Sequence, residues 1–192
     1  MIAIVKYNAG NIQSVKNAVE RLGFSCIVTD DENELKSADK VIFPGVGEAS
    51  SAMKYLKERK LDEIIKNLKQ PVLGICLGQQ LLCNFSEEGS TKCLGIFDVN
   101  VRKFEAKEKV PHMGWNNLSN RNSDLFKGIP VDADFYFVHS YYAEVGENTT
   151  SICDYINLLS ATMQKDNFFA TQFHPEKSSK IGEQLLLNFL QL

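Results

Sequence analysis

The chain up to Phe85 alternates between short apolar runs and amphipathic stretches, and this alternation constrains the fold more than any other feature. The apolar runs are typical of buried strands and occur at Ile2–Val5, Ser25–Thr29, Val41–Phe43 and Val72–Ile75. Apolar residues spaced three and four apart predict helices over Ile12–Leu22, Leu56–Leu68 and Leu77–Phe85. Strands that alternate with helices in this way form a parallel sheet with helices on both faces.

Beyond residue 90 the pattern changes to closely spaced strand-like runs, which predict antiparallel strands added to the sheet. These runs are Gly95–Phe104, Phe135–Ala143, Ser151–Tyr155, Leu158–Met163 and Phe168–Phe173. A predicted helix over Lys180–Leu190 closes the chain. The 192 residues suit one domain, and no linker rich in Pro, Gly or Ser divides them. We therefore predict a single α/β domain over residues 1–192, mostly a parallel sheet flanked by helices.

Charge and cysteine content exclude several functional classes. Lys and Arg total 21 and Asp and Glu total 24, a net charge of −3 that argues against general binding to nucleic acid or an anionic membrane. Nothing resembles a signal peptide, and no apolar run approaches the roughly 18 residues of a membrane span. The five cysteines are scattered, so neither a zinc site nor a disulfide framework is expected. We expect a reduced, cytoplasmic protein without a bound metal.

Cys76 directly follows the run Val72–Ile75 and opens a predicted helix, with Gly74 and Gly78 two residues away on either side. Small neighbours allow a sharp strand-to-helix turn that exposes the central side chain. The unpaired N–H groups at a helix N-terminus favour the anionic thiolate form of a cysteine. Cys76 is therefore a candidate nucleophile, and a buried structural cysteine is an equally good interpretation of this motif alone.

A nucleophilic cysteine needs a base, and His174 is the best placed of the three histidines. Pro175 disfavours helical backbone at the residue before it, so His174 is expected to be extended. If the extension continues, His174 and Glu176 point to the same side, about 6.6 Å apart. The carboxylate then orients the imidazole, whose other nitrogen faces the thiol, as in a catalytic triad. The alternative is a buried core histidine beside a surface glutamate.

A tetrahedral intermediate also needs N–H donors for its oxyanion. The amide of Leu77, the residue after Cys76, is one candidate. The segment Pro44–Gly47 ends another predicted strand, and a glycine-permitted turn there could supply a second donor. A plain turn explains this segment equally well.

Three motifs in this order, Pro44–Gly47 (PGVG), Gly74–Gln80 (GICLGQQ) and Gln172–Ser178 (QFHPEKS), resemble those of the class I glutamine amidotransferases. The resemblance runs from about residue 2 to the C-terminus. It implies hydrolysis of L-glutamine by a Cys-His-Glu triad through a thioester, with no cofactor. The residues it assigns are Cys76, His174 and Glu176 as the triad, Val46 and Leu77 as oxyanion amides, and Gly47, Gln80, Glu88, His139, Ser140 and Tyr141 as the glutamine site.

Two further segments, Val110–Asn116 and Tyr136–Tyr141, narrow the resemblance to the glutaminase subunits of imidazole glycerol phosphate synthases, in histidine biosynthesis. Such a subunit forms a heterodimer with a (β/α)8-barrel cyclase. The cyclase receives the ammonia and makes imidazole glycerol phosphate and aminoimidazole carboxamide ribotide. The residues implied to face this partner are His112, Trp115, Asn116, Tyr136 and Lys177.

The chain departs from the family pattern I-V-D-Y-G-x-G-N at its start, where Lys6 replaces the acid and Asn8 a glycine. This stretch lies near the partner-facing side in the family, so a related glutaminase that feeds a different synthase, such as a sugar-amidating enzyme, stays open. A cysteine peptidase would leave Gln80 and Glu88 without a purpose, and the intact triad argues against a redox-sensing or degenerate subunit. The glycine-rich PGVG segment further predicts slow hydrolysis by the chain alone.

Overall fold

The computed structural model describes all 192 residues, Met1–Leu192, and contains thirteen strands. They are β1 (Ile2–Val5), β2 (Cys26–Thr29), β3 (Lys40–Phe43), β4 (Val72–Ile75), β5 (Phe85–Ser86), β6 (Thr91–Lys92), β7 (Asn100–Lys103), β8 (His112–Asn116), β9 (Phe135–His139), β10 (Tyr141–Ala143), β11 (Thr149–Tyr155), β12 (Asn157–Lys165) and β13 (Phe168–Thr171).

Six helices accompany the strands. They are α1 (Ile12–Arg21), α2 (Glu32–Ser37), α3 (Ala49–Glu58), α4 (Leu61–Lys66), α5 (Leu77–Leu82) and α6 (Ser179–Leu190), with short 3-10 turns at Asp124–Phe126 and Pro175–Lys177. The longest helix, α6, has 12 residues. None of the helices combines the length and the apolar character that crossing a membrane requires.

Seven strands form the main sheet in the order β11-β12-β13-β4-β3-β1-β2. The five strands from β13 to β2 are parallel, and β12 and β11 are added antiparallel at one side. The predicted fold, a mostly parallel sheet with antiparallel strands from the second half, is confirmed. Because β3, β4 and β13 are neighbours, the segments that follow Phe43, Ile75 and Thr171 meet at the carboxyl end of the sheet.

The core consists of two apolar layers, one on each face of the main sheet. Alternate residues of β1 point to opposite faces, so Ala3 and Val5 join one layer while Ile2 and Ile4 join the other. Helices α2 to α5 cover the first layer, and α1 and α6 cover the second. Burial on both faces explains why the parallel strands read as continuous apolar runs.

The predicted helix over Leu56–Leu68 is wrong at its centre. Helix α3 ends at Glu58 and α4 begins at Leu61, with Lys60 between them in the left-handed conformation at φ 59°. In one continuous helix Leu56 and Leu61 would lie about 140° apart around the axis. The break lets both side chains be fully buried in the same layer.

Other boundaries differ because strand pairing is a tertiary property. The predicted strand Phe135–Ala143 divides at Ser140, since β9 pairs with β8 while β10 pairs with β7. Within Gly95–Phe104 only β7 is a strand, and α5 stops before Phe85, which belongs to β5. A local apolar pattern cannot show which neighbour a strand pairs with.

Helix α2 and strand β8 were not predicted. The start of α2 nevertheless has a readable signal, because Asp31 accepts hydrogen bonds from the N–H groups of Asn33 and Glu34. An aspartate in this position is a common helix N-cap. Strand β8 has no comparable local signal, and it exists because it pairs with β9.

Candidate active site

Cys76 lies at the sharp turn between β4 and α5, at the carboxyl end of the main sheet. Its backbone has φ 53°, a conformation that residues other than glycine rarely adopt. A Cβ atom at Gly78 would lie 1.8 Å from the Phe43 carbonyl oxygen, and one at Gly74 would lie 2.7 Å from the Leu82 side chain. The turn therefore requires both glycines, as the motif predicted, and it places Cys76 in the wall of a cavity.

His174 and Glu176 form a fully buried pair after β13, with Nδ1 of the imidazole 2.7 Å from Oε1 of the carboxylate. The predicted extended path is correct for His174 and wrong beyond it, since Pro175–Lys177 forms a 3-10 turn. The fixed φ of proline suits the first residue of such a turn. The turn brings the carboxylate directly onto the imidazole.

The other ring nitrogen of His174, Nε2, has no hydrogen-bond partner within the protein. Burial lowers the pKa of His174, but the neighbouring Cys76 and Glu176 outweigh it, and the pKa is raised to about 10. The site thus favours a charged imidazolium between the thiol and the carboxylate, the arrangement that activates a cysteine nucleophile.

Asn11 also belongs to this site, although the sequence did not single it out as a functional residue. It precedes α1 with a φ of 71°, and its amide Nδ2 donates a hydrogen bond to Oε1 of Glu176. The same nitrogen lies 3.4 Å from Nδ1 of His174. A separation of more than 160 residues along the chain left no local signal for this contact.

The oxyanion donors predicted at Val46 and Leu77 are not both free. The N–H of Leu77 donates to the carbonyl oxygen of Gly45 at 3.1 Å, and the Val46 carbonyl accepts from Gly10 N–H at 3.0 Å. The Gly45 carbonyl therefore occupies the donor that an oxyanion would need.

A cavity of about 160 Å³ opens beside Cys76. It brings together the nucleophile candidate and every residue that the resemblance assigned to the oxyanion and the substrate. These are Cys76, Val46, Leu77, Gly47, Gln80, Glu88, His139, Ser140 and Tyr141, and Val138 completes the lining. The structure shows that these residues line one cavity, whereas their binding of glutamine stays a prediction.

Comparison with known proteins decides the family. A model of the class-I glutamine amidotransferases matches residues 3–192. The chain belongs to this family. It is 59% identical over 194 residues to the imidazole glycerol phosphate synthase subunit HisH of Bacteroides fragilis, covering 100% of this chain and 99% of the relative. The HisH subunit of Vibrio cholerae is 46% identical over 199 residues, with 100% and 98% covered. The family and the kind of subunit predicted from the motifs are confirmed.

Solved structures support the fold of this amidotransferase. A glutamine amidotransferase from Thermotoga maritima matches with a TM-score of 0.70 at 17% identity, over 99% of this chain and 96% of that chain. PurLQS from the same organism matches with a TM-score of 0.72 at 17% identity, over 99% and 97%. At these identities the likeness concerns the α/β architecture alone.

The other four cysteines of the amidotransferase differ from Cys76 in their surroundings. Cys83, Cys93 and Cys153 are buried, and burial raises the pKa of all three thiols, to about 12 for Cys93 and Cys153. Cys26 is half-buried, and its thiol pKa is also raised by burial. No group of three or more His, Cys, Asp or Glu side chains is arranged to hold a metal ion.

Glu88 forms the acidic end of the cavity. Its carboxylate accepts a hydrogen bond of 2.8 Å from the N–H of Ala49, the first residue of α3. Burial raises the pKa of Glu88, so a cation beside it would stabilise its charged form.

The residues implied to face a partner lie on and beside the two-stranded β8–β9 ribbon. Trp115 is 54% exposed, Lys177 is exposed, and Asn116 and Tyr136 are half-buried. His112 is only 4% exposed, so its side chain does not reach this surface. It is buried because alternate residues of β8 point inward, and its ring stacks on Tyr155 with centroids 3.9 Å apart. Met113 is 56% exposed and was not predicted.

His112 and His139 form a second buried pair beneath the ribbon, with Nδ1 of His112 3.0 Å from Nε2 of His139. Nδ1 of His139 lies 2.8 Å from the Tyr141 carbonyl oxygen, so His139 is the donor there. Burial lowers the pKa of His112 to about 4 and that of His139 to about 3. Both imidazoles are therefore neutral at pH 7.

This pair predicts a loss of stability in mild acid. The unfolded chain protonates both histidines near pH 6.5, whereas the folded chain does so only near pH 4 and pH 3. We expect the free energy of unfolding, measured in urea, to fall by about 2–3 kcal/mol between pH 7 and pH 5. The raised pKa of His174 acts in the opposite direction and offsets a smaller part. His112→Gln should roughly halve the loss, and an unfolding free energy independent of pH would contradict the prediction.

Proposed function

We propose that this chain is the glutaminase subunit of an imidazole glycerol phosphate synthase. It hydrolyses L-glutamine to glutamate and delivers ammonia to a (β/α)8-barrel cyclase in a heterodimer. The observation that carries the chemistry is the strained turn that places Cys76 in the wall of a cavity, next to the buried His174–Glu176 pair. The full-length similarity to HisH subunits supports the pathway.

The triad acts in two steps. Cys76 Sγ attacks the side-chain amide carbon of glutamine, and His174, oriented by Glu176, gives a proton from Nε2 to the departing ammonia. His174 then takes a proton from water, which attacks the thioester and releases glutamate. Glu176 accepts the hydrogen bond from Nδ1 of the ring and is itself held by Asn11, so Nε2 is the nitrogen that exchanges protons in both steps.

The cavity supplies the contacts that glutamine needs. The Glu88 carboxylate is the counter-ion for the substrate ammonium, and its partial burial strengthens this attraction. The backbone from His139 to Tyr141 and the Gln80 side chain complete the site. Tyr141 and Gln80 are fixed to each other by a 2.8 Å hydrogen bond from Gln80 Nε2 to the Tyr141 carbonyl.

The oxyanion hole forms when the Gly45–Val46 peptide flips. A half-turn of this peptide exchanges the positions of its carbonyl and its N–H, which frees Leu77 N–H and turns Val46 N–H toward the cavity. The flip changes ψ of Gly45 and φ of Val46, and Gly45, as a glycine, tolerates a wide range of backbone angles.

The partner binds the surface formed by the β8–β9 ribbon and the Pro175–Lys177 turn. Met113 and Trp115 give it an exposed apolar centre, and the indole of Trp115 packs edge-on against Tyr136 with centroids 5.8 Å apart. Lys177 adds a charge, directly after the triad carboxylate. An aromatic and apolar patch with a charged rim is typical of protein interfaces.

Rescue of a histidine auxotroph tests the pathway. A strain that lacks its own glutaminase subunit should grow without histidine when it receives this chain together with the matching barrel subunit. The Cys76→Ala variant, expressed at the same level, should not restore growth. If the chain hydrolyses glutamine in vitro but never supports growth, a synthase of another pathway is its partner, as in the alternative left open by Lys6 and Asn8.

A further inference from the structure

Gln172 opens the QFHPEKS motif, and the triad mechanism gives it no task. It follows β13 directly, is fully buried, and its backbone N–H donates to the Ala161 carbonyl at 2.8 Å. Its side-chain amide lies between two residues of the candidate site. Nε2 is 3.7 Å from Sγ of Cys76, and Oε1 is 2.9 Å from Nε2 of Gln80.

The Tyr141 carbonyl determines which groups of Gln80 and Gln172 donate and which accept. The Tyr141 carbonyl oxygen can only accept, so the group of Gln80 that faces it at 2.8 Å must be the NH2. The same NH2 also faces Gln172, which must therefore present its oxygen to Gln80. The Gln172 NH2 is then left to point at the sulfur of Cys76. A reversed Gln172 amide would place two NH2 groups against each other.

We propose that Gln172 is a positioning residue for the nucleophile: its amide N–H donates to Sγ of Cys76, holds the sulfur toward the cavity and stabilises the thiolate form. Gln80 acts through Gln172, because it holds the amide in the orientation that makes this donation possible. A hydrogen bond to a charged acceptor is stronger than one to a neutral acceptor, so the contact favours the thiolate over the thiol. The inference rests on the proposed role of Cys76 as the nucleophile.

The pH dependence of thiol alkylation tests this role without glutamine or a partner. The rate of iodoacetamide modification at Cys76, followed by peptide mass spectrometry, rises with the thiolate fraction and gives a midpoint pH. Gln172→Met has a similar length and no donor. We expect it to raise the midpoint by about one pH unit and to slow alkylation about tenfold below the midpoint.

Two further variants separate positioning from packing. Gln172→Glu keeps an acceptor for Gln80 but loses the donor, and it should raise the midpoint at least as much as Gln172→Met. Gln79→Met is the matched control, because Gln79 is an equally buried glutamine of α5 whose amide donates to the Ser160 carbonyl and not to the sulfur. Its midpoint should equal that of the unaltered chain.

The outcomes test the role of Gln172 separately from the role of Cys76 as the nucleophile. If Cys76 is alkylated in every variant with the same midpoint, Gln172 is only a packing residue and the inference is wrong. If the unaltered chain is modified elsewhere and Cys76 does not react, the proposed nucleophile itself is wrong.

Discussion

Replacing Cys76 with alanine is expected to abolish glutamine hydrolysis, lowering kcat by on the order of 10⁴-fold or more. The reason is that the thioester cannot form without the sulfur, and no other cysteine reaches the cavity. The measurement is the release of glutamate by the purified protein in the presence of the barrel subunit. An electrophilic glutamine analogue should label the unaltered chain at Cys76 and leave the variant unlabelled.

The matched control for this loss is Cys83→Ala. Cys83 lies at the end of α5, fully buried, and its thiol donates to the Gln79 carbonyl. Removing it should leave kcat within about twofold, although a buried cysteine contributes to packing and its loss lowers stability. Full activity in Cys76→Ala, or labelling at Cys83, would refute the assignment of the nucleophile.

The chain alone is expected to hydrolyse glutamine about 10²–10³-fold more slowly than the complex with its barrel subunit. Even one missing oxyanion donor typically costs this factor, and at least the Leu77 donor is missing in the isolated chain, because the Gly45 carbonyl occupies it. Because an oxyanion exists only after the attack, the partner should raise kcat and change KM little. Steady-state kinetics of glutamate release with and without the partner check both statements.

The comparison of kcat with and without the partner also needs a control. The Cys76→Ala variant in the same complex must be inactive, which excludes a contaminating glutaminase in the partner preparation. Equal kcat with and without the partner would show that the blocked Leu77 N–H is not what limits the isolated chain. The flip of the Gly45–Val46 peptide would then have no role in activation.

The main sheet could be predicted because its strands are buried on both faces, which makes each one a continuous apolar run. The apolar run Val72–Ile75 coincides with β4 for this reason. The predicted boundaries of helices and strands were wrong where they depend on contacts between distant segments. The helix break at Lys60 lets Leu56 and Leu61 share one core layer, and the division at Ser140 follows from two different strand partners.

The nucleophile candidate and its pair were readable from the sequence because each is marked by its immediate neighbours. Gly74 and Gly78 mark the turn at Cys76, and Pro175 marks the extended backbone of His174, although the 3-10 turn that brings Glu176 onto the imidazole was not predicted. The sequence by itself therefore determined the family and the type of chemistry. These depend on side-chain type and short-range backbone geometry, which a motif records directly.

Only the tertiary structure showed that an oxyanion donor is occupied and which side chains lie beside Cys76 and Glu176. The Gly45 carbonyl meets Leu77 N–H because β3 and β4 are neighbours, and Asn11 meets Glu176 from the other end of the chain. The same sheet order places Gln172 beside Cys76. These contacts join residues that are far apart along the chain, so their distances follow from sheet order and strand register, which no local pattern of residues specifies.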